Sequence, residues 1–386
     1  MLKVAMLFDY PFAGRLGIDA AWHNEAYPML NLIDGLQRNH DVEIDVVNTT
    51  RMLGDRTVHR ISDRLRVHFL RVSRMSGMQF GYLPRAPVIH RYLEELQPDL
   101  VHGRGTEGQW GLTTVTSRFP NVLTIAGLLR EVHKVVPPPL SSPLHVARWA
   151  ESWTLRKARH LIAISPYAER ALQGIAPRAT YHHVPNAVAR VFFDVEKKSV
   201  RPKVVFAARI GPHKGLSDFL EVATELRDRG VKPTWTVLGK PGSPGGASYA
   251  LRCFEYARRA LPSEDVEFLG WCSQEQNAAA LQDAACFVLP SYVENFSMAL
   301  AEAMATGTPV VAYAVGGIPD YVEDGVSGFL VPPGDRGMLA RRIETLLNEP
   351  GLARIFGERC RQRAKAFDPA RVAEQTLDVY RKVLAR

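Results

Sequence analysis

Apolar residues fall in short unbroken runs, separated by polar loops and by stretches with helical spacing. KVAMLFD (3–9) is the first run and the loop PFAGRLG (11–17) follows it. Residues 20–38 then carry helical spacing, and VEIDVVN (42–48) is a second run. Runs of this length, without alternation, read as strands buried on both faces; their alternation with helices predicts a doubly wound parallel sheet. PDLVHGRG (98–105), NVLTIAG (121–127) and HLIAIS (160–165) continue the rhythm, with helices at 147–158 and from Pro166. A charged linker, EKKSVRPK (196–203), interrupts it. VVFAARI (204–210), TWTVLGK (234–240), VEFLGW (266–271), ACFVLPS (285–291) and PVVAYAVG (309–316) repeat the pattern. The expectation is two α/β domains, residues 1–192 and 193–368, with ligands held in a cleft where loops leave the C-terminal strand ends. In the tail, 369–386, Val372, Ala373, Thr376, Leu377, Tyr380, Val383 and Leu384 share one helical face, which predicts a docked helix.

Length agrees: 386 residues exceed what one core normally serves. No eighteen-residue apolar run occurs, and the start lacks the apolar core of a signal peptide, so a cytoplasmic location is expected. Cys253, Cys272, Cys286 and Cys360 are too scattered for a zinc or redox motif and are expected as free thiols. The formal charge is +8, and it is concentrated. Nine arginines (51, 56, 60, 64, 66, 71, 74, 85 and 91) face only Asp55 and Asp63 between Arg51 and Arg91. That stretch fits a solvated face that aids solubility, or a surface for an anionic membrane or acidic acceptor. Nucleic acid is not expected, because no recognised module or aromatic–basic interleaving accompanies the charge.

Two loops of the second half carry the candidate chemistry. In ARIGPHKG (208–215), Arg209 and Lys214 flank a bend at Gly211 and Pro212; two cations across one loop suit a diphosphate. In ENFSMALAE (294–302), Asn295 is the expected N-cap of a helix starting at Phe296. The amides of Phe296, Ser297 and Met298 would then form an anion site. Glu294 and Glu302 would lie ~12 Å apart if the whole span were helical, the scale of a sugar nucleotide. Gly316 and Gly317 follow in the next loop, where small residues admit a close backbone approach. Gly14 and Gly17 do not match a dinucleotide fingerprint, though their amides could still face phosphate.

In this order and at these spacings, ARIGPHKG, ENFSMALAEAMATGTPVVA and GGIPDYVEDGVSGFLVPPGD resemble the retaining glycosyltransferases of family 4, which have the GT-B fold. The resemblance is strongest over about 200–335. It implies two Rossmann-like domains facing each other across a cleft, with the C-terminal helix crossing back to the first. It also implies a hexosyl transfer from a UDP- or GDP-linked sugar, with no further cofactor or metal, to an acceptor hydroxyl. By resemblance, Arg209 and Lys214 hold the diphosphate, Glu294 the sugar hydroxyls and Glu302 the ribose. The backbones of Phe296, Ser297 and Met298 meet sugar and phosphate, Gly270 and Trp271 lie beside the base, and Gly14 to Gly17 close over the phosphate. Where the family often carries a histidine, this chain has Ala126; His102 is the nearest substitute, with His133, Glu131 and Arg130 as others. Asp19 replaces the usual glutamate after the glycine loop. The expected acceptor is an envelope polysaccharide, lipopolysaccharide or glycolipid, handled at the inner face of the cytoplasmic membrane. The alternatives are a soluble metabolite, another enzyme of the same fold such as an epimerase or phosphorylase, and an inactive nucleotide-sugar binder.

Overall fold

The computed structural model describes residues 1–10, 27–38, 42–50, 56–72, 83–106, 108–197, 201–242 and 246–385. The chain divides into two compact units, one formed by Met1–Ala187 with Pro369–Arg386 and the other by Val188–Asp368.

The first unit is built on strands β1 (Leu2–Leu7), β2 (Val42–Thr50), β3 (Arg56–Ser62), β4 (Leu65–Arg71), β5 (Leu100–Arg104), β6 (Asn121–Ile125), β7 (His160–Ala163) and β8 (Thr180–His183). Their order is β3-β4-β2-β1-β5-β6-β7-β8, parallel except for the antiparallel β3–β4 pair. Helices α1 (Tyr27–Arg38), α2 (Ala86–Leu96), α3 (Gln109–Val115), α4 (Leu129–Val135), α5 (Leu144–Lys157) and α6 (Pro166–Leu172) connect them. In the second unit, β9 (Lys203–Ala207), β10 (Thr234–Leu238), β11 (Val266–Gly270), β12 (Cys286–Leu289), β13 (Val310–Tyr313) and β14 (Gly328–Val331) form a wholly parallel sheet. The order is β11-β10-β9-β12-β13-β14. Its helices are α7 (Arg190–Phe193), α8 (Leu216–Asp228), α9 (Gly246–Ala260), α10 (Gln274–Leu281), α11 (Met298–Ala305), α12 (Ile318–Tyr321), α13 (Arg336–Asn348) and α14 (Pro350–Ala364). Strands β9 and β12 are fully buried at their centres, as their unbroken Val, Phe and Leu runs require.

The last helix, α15 (Pro369–Leu384), belongs to the first unit and lies against α1. Val372, Ala373, Leu377 and Tyr380 join Met29, Ile33 and Leu36 of α1 in the core that covers one face of the sheet. Alternation along β5 sends Val101 to the opposite face and Leu100 with His102 to this one. His102 is therefore buried under α15. Its Nδ1 meets Tyr380 Oη at 2.6 Å and its Nε2 meets Thr124 Oγ1 at 2.7 Å. This corrects the expectation of an acceptor-side His102: both ring nitrogens are already used, and the ring is a strut joining β5, β6 and α15.

The arginine-rich stretch is also resolved into structure. It forms the β3–β4 hairpin at the sheet edge, where charge discourages pairing with another chain. Arg66 makes two hydrogen bonds to Asp45, at 2.7 and 2.9 Å, and pairs with Glu43 as well. Burial works to raise the Asp45 pKa, but hydrogen bonds from His68 and Arg66 outweigh it and hold the carboxyl at about 2. Arg56 pairs with Glu95 at 2.7 Å and lies 4.5 Å over the Tyr92 ring; Arg60 pairs with Asp63. Arg85 is buried and donates to Gln109. Much of the charge is consumed within the unit, which weakens the stretch as a membrane surface. Arg51 and Arg74 lie outside the described residues. No helix among those described is long and apolar enough to cross a membrane.

Tyr380→Phe should lower the unfolding free energy by about 1–3 kcal/mol, the cost of a buried His102 nitrogen left unpaired. Urea unfolding measures this, and nucleotide affinity should not change. Burial, with Arg104 nearby, lowers the His102 pKa from 6.5 to about 3. The unfolded chain takes up that proton first on acidification, so the parent loses stability as pH falls from 6.5 toward about 3.

Candidate functional site

In a doubly wound sheet, the crevice opens where successive connections leave on opposite sides. In the second unit that point lies between β9 and β12, since β10 and β11 continue one way and β13 and β14 the other. The two loops leaving it are 208–215 and 290–297, the same two that the sequence marks. They are stitched together by the Tyr292 N–H donating to the His213 carbonyl at 2.8 Å.

Lys214 closes a short 3-10 turn, Pro212–Lys214, and its Nζ donates to Glu294 Oε1 at 2.7 Å. Both side chains are largely buried, at 19% and 7% exposure, so neither charge is left to water. Arg209 lies beside them. Burial depresses its pKa while the nearby Glu294 carboxylate pulls the other way. A Cβ on Gly242 would sit 1.7 Å from Arg209 Cγ, so only a glycine lets the Arg209 stem cross that loop. Arg209, Lys214 and Glu294 thus converge in one place. The charge of both cations holds His213 neutral as well, after burial, with a pKa of about 4.

The start of α11 differs from expectation. Its N-cap is Ser297, not Asn295, and the helix begins at Met298. Ser297 Oγ accepts from the Leu300 N–H at 3.4 Å, and the Ser297 N–H donates to Tyr321 Oη at 3.0 Å. The expected trio of free amides is therefore not available: Ser297 is committed. The N–H groups of Met298 and Ala299, at the first two helical positions, are those the α-helix leaves over. Phe296 is buried against Tyr321 and Phe367, with ring centroids at 5.0 and 5.1 Å, so its side chain anchors the loop. Tyr321 was not foreseen; only its place in a tyrosine-bearing turn after the next strand hints at it.

Gly316 and Gly317 serve Glu294 directly. The Gly317 N–H donates to the Glu294 carbonyl at 3.1 Å, and a Cβ on Gly316 would stand 1.7 Å from that same oxygen. Gly316 also has φ +54°, which favours glycine. The loop after β13 thus clamps the Glu294 backbone. Asp218, in the first turn of α8, accepts from Tyr292 Oη and Tyr313 Oη, each at 2.7 Å, and ties β12, β13 and α8 behind the site.

Gly270 ends β11, and its carbonyl accepts from the Gly239 N–H at 2.7 Å. Ala208 and Ile210 bond in turn to Leu238 and Lys240, so the Gly270–Trp271 corner adjoins the Arg209 loop. Glu302 lies in the second turn of α11, buried and without an ion-pair partner among the described residues; desolvation raises its pKa to about 7. The two glutamates therefore differ: one is paired with Lys214, and the other has its pKa moved by burial alone. Gly14, Gly17 and Asp19 lie outside the described residues. Glu131 pairs with Lys134, and His133 is buried in α4. No group of three or more potential metal ligands occurs among the described residues.

Residues 189–363 match the model of a family described as glycosyl transferases group 1, and residues 28–187 match a glycosyl transferase 4-like domain. A D-inositol 3-phosphate glycosyltransferase of Streptomyces bingchenggensis is 35% identical over 187 residues, 47% of this chain and 40% of the relative. The chain thus spans well under two thirds of that relative. An MMP alpha-(1->4)-mannosyltransferase of Mycolicibacterium hassiacum is 30% identical over 303 residues, 75% of this chain and 71% of the relative. Among solved structures, sucrose-phosphate synthase from Thermosynechococcus elongatus is similar over 100% of both chains, with TM-score 0.81 at 22% identity.

The raised Glu302 pKa fixes a sign. The folded state favours the protonated carboxyl, so this contribution to stability is full below the unfolded value of 4.5 and is lost as pH rises through about 7. Glu302→Gln should remove that loss. At pH 8 the ligand-free variant should be more stable than the parent by on the order of 3 kcal/mol, and at pH 4 the two should converge. Thermal melts at both pH values check this.

Proposed function

Because the chain belongs to the glycosyl transferases group 1 family, we propose that it moves a hexosyl group from a nucleoside diphosphate sugar to an acceptor hydroxyl, with retention at the anomeric carbon. The observation that carries this reading is the convergence of Arg209, Lys214 and Glu294 at the β9/β12 switch point. A diphosphate placed there meets two cations and the first amides of α11. It takes Lys214 from Glu294, and the released carboxylate accepts hydrogen bonds from sugar hydroxyls. Glu302, a buried carboxylate in the second turn of α11, accepts the ribose hydroxyls. Trp271 and the Gly270 backbone flank the base.

The bond from the anomeric carbon to the phosphate oxygen breaks while the acceptor oxygen attacks from the same face. The departing phosphate oxygen takes the acceptor proton. Negative charge grows on the diphosphate as the sugar becomes oxocarbenium-like, and Arg209, Lys214 and the helix amides oppose that charge without having to reorganise. Glu294 positions the sugar and forms no bond to it.

For the acceptor, the similarity to a D-inositol 3-phosphate glycosyltransferase favours a small soluble polyol or sugar over the envelope polymer expected from the sequence. A lipid-linked saccharide is the second reading, favoured by an exposed tryptophan-bearing face on α5. The domain of residues 1–192 is assigned the acceptor in either case, and UDP and GDP sugars both suit the donor loops.

Calorimetric titration with UDP- and GDP-sugars tests the donor site, and a lack of heat with every nucleotide sugar would remove the reading. Lys214→Ala should cut turnover by about a hundredfold or more, the scale of losing one transition-state donor. Circular dichroism should remain that of the parent. Unchanged turnover would take Lys214 out of the diphosphate role.

A further inference from the structure

The outer face of α5 carries none of the donor-site residues, and its composition is distinctive. Ala147, Ala150, Glu151, Thr154 and Leu155 face inward and are buried. His145, Trp149 and Trp153 recur every fourth residue on the other side and so share a stripe, with Lys157 one turn further. Trp149 is 58% exposed, and Lys157 lies 5.6 Å over the Trp153 ring. Arg148 and Arg156 are exposed beside the stripe. At its upper end, His145 Nε2 holds the Pro139 carbonyl at 3.1 Å. Leu140, the next residue in the connector that leads into α5, is 96% exposed. Prolines at 137–139 and 143 stiffen the connector that carries it.

Soluble surfaces do carry isolated apolar residues, but here an exposed tryptophan lies among cations on one helix, and the connector just before that helix carries an almost naked leucine. The acids of the segment are used internally. Glu151 is buried and accepts from Thr106 Oγ1 and the Leu129 N–H, and Glu131 pairs with Lys134. His133, buried at the α4–α5 contact, leaves both ring nitrogens without a partner among the described residues. The face is therefore apolar in the middle and positive at its edges. Tryptophan with arginine and lysine is the set that favours a bilayer interface, the ring at headgroup level and the cations on lipid phosphates. The stripe from His145 to Lys157 is ~18 Å long, enough to lie along such a surface. A second copy of the chain would bring like charges together, which disfavours self-association here.

We propose that the α5 face, with Leu140 at its tip, is a docking surface for an anionic phospholipid bilayer. It goes beyond the transfer reaction and does not depend on it. Leu140 and Trp149 enter the headgroup region, and Arg148, Arg156 and Lys157 pair with phosphates. The β3–β4 hairpin, whose arginines are largely engaged with carboxylates, is not the contact.

The full chain should co-sediment with vesicles of equal parts phosphatidylglycerol and phosphatidylcholine. It should bind pure phosphatidylcholine far less, and the difference should shrink as salt is added. Leu140→Ser with Trp149→Ser should weaken partitioning by about tenfold or more, and Arg148→Gln with Arg156→Gln should remove most of the salt-sensitive part. Arg60→Gln should bind as the parent does. All of these side chains are on the surface, so melting temperatures should match and donor affinity should hold. A parent chain that stays in the supernatant, or a Leu140/Trp149 variant that binds like the parent, overturns the proposal. So does a parent that light scattering shows to be a dimer, and that those two changes turn into a monomer, without vesicle binding.

Discussion

The Lys214–Glu294 pair is the constraint around which the second unit is arranged. Two opposite charges, largely removed from water, are tolerated only because they are 2.7 Å apart and because Arg209 adds a second positive neighbour. Every loop nearby serves that arrangement. The loop after β9 brings the cations, the loop after β12 brings the carboxylate, and the loop after β13 clamps the carboxylate's backbone through Gly316 and Gly317.

Much of this was legible. Buried strands such as VVFA and CFVL announce themselves by unbroken apolar runs, and the strand order then locates the crevice at the β9 and β12 ends. Spacing alone could not fix the helix start. Asn295 and Ser297 are both good N-caps, and the choice was made by tertiary contacts: Phe296 docks on Tyr321 and Phe367, which turns the Ser297 hydroxyl, rather than the Asn295 amide, toward the first turn. The β3–β4 hairpin was hidden for a different reason. LRVHFLR alternates apolar with basic residues only as far as Phe69, and RTVHRIS does not alternate at all, so no clean period-two pattern marks the pair.

His102 shows the same limit from the other side. A histidine at the C-terminal end of a parallel strand looks like chemistry. Only the partner on α15, nearly three hundred residues away in the chain, reveals that it is cross-linking material. No local pattern contains that information, because Tyr380 reads simply as one apolar position of an amphipathic helix. Ala126 likewise gains no replacement from His102, whose ring nitrogens are both engaged.

The assignment of α15 to the first unit has a consequence for how the protein is made. Val188–Asp368 is continuous, whereas the sheet of the first unit lies in the first half of the chain and its covering helix lies in Pro369–Arg386. The first unit, although synthesised earlier, must wait: the sheet face around Leu100 and His102 stays uncovered until Tyr380 arrives. A premature stop near residue 368 would therefore strip the roof from the amino-terminal sheet while leaving the core of the second unit whole.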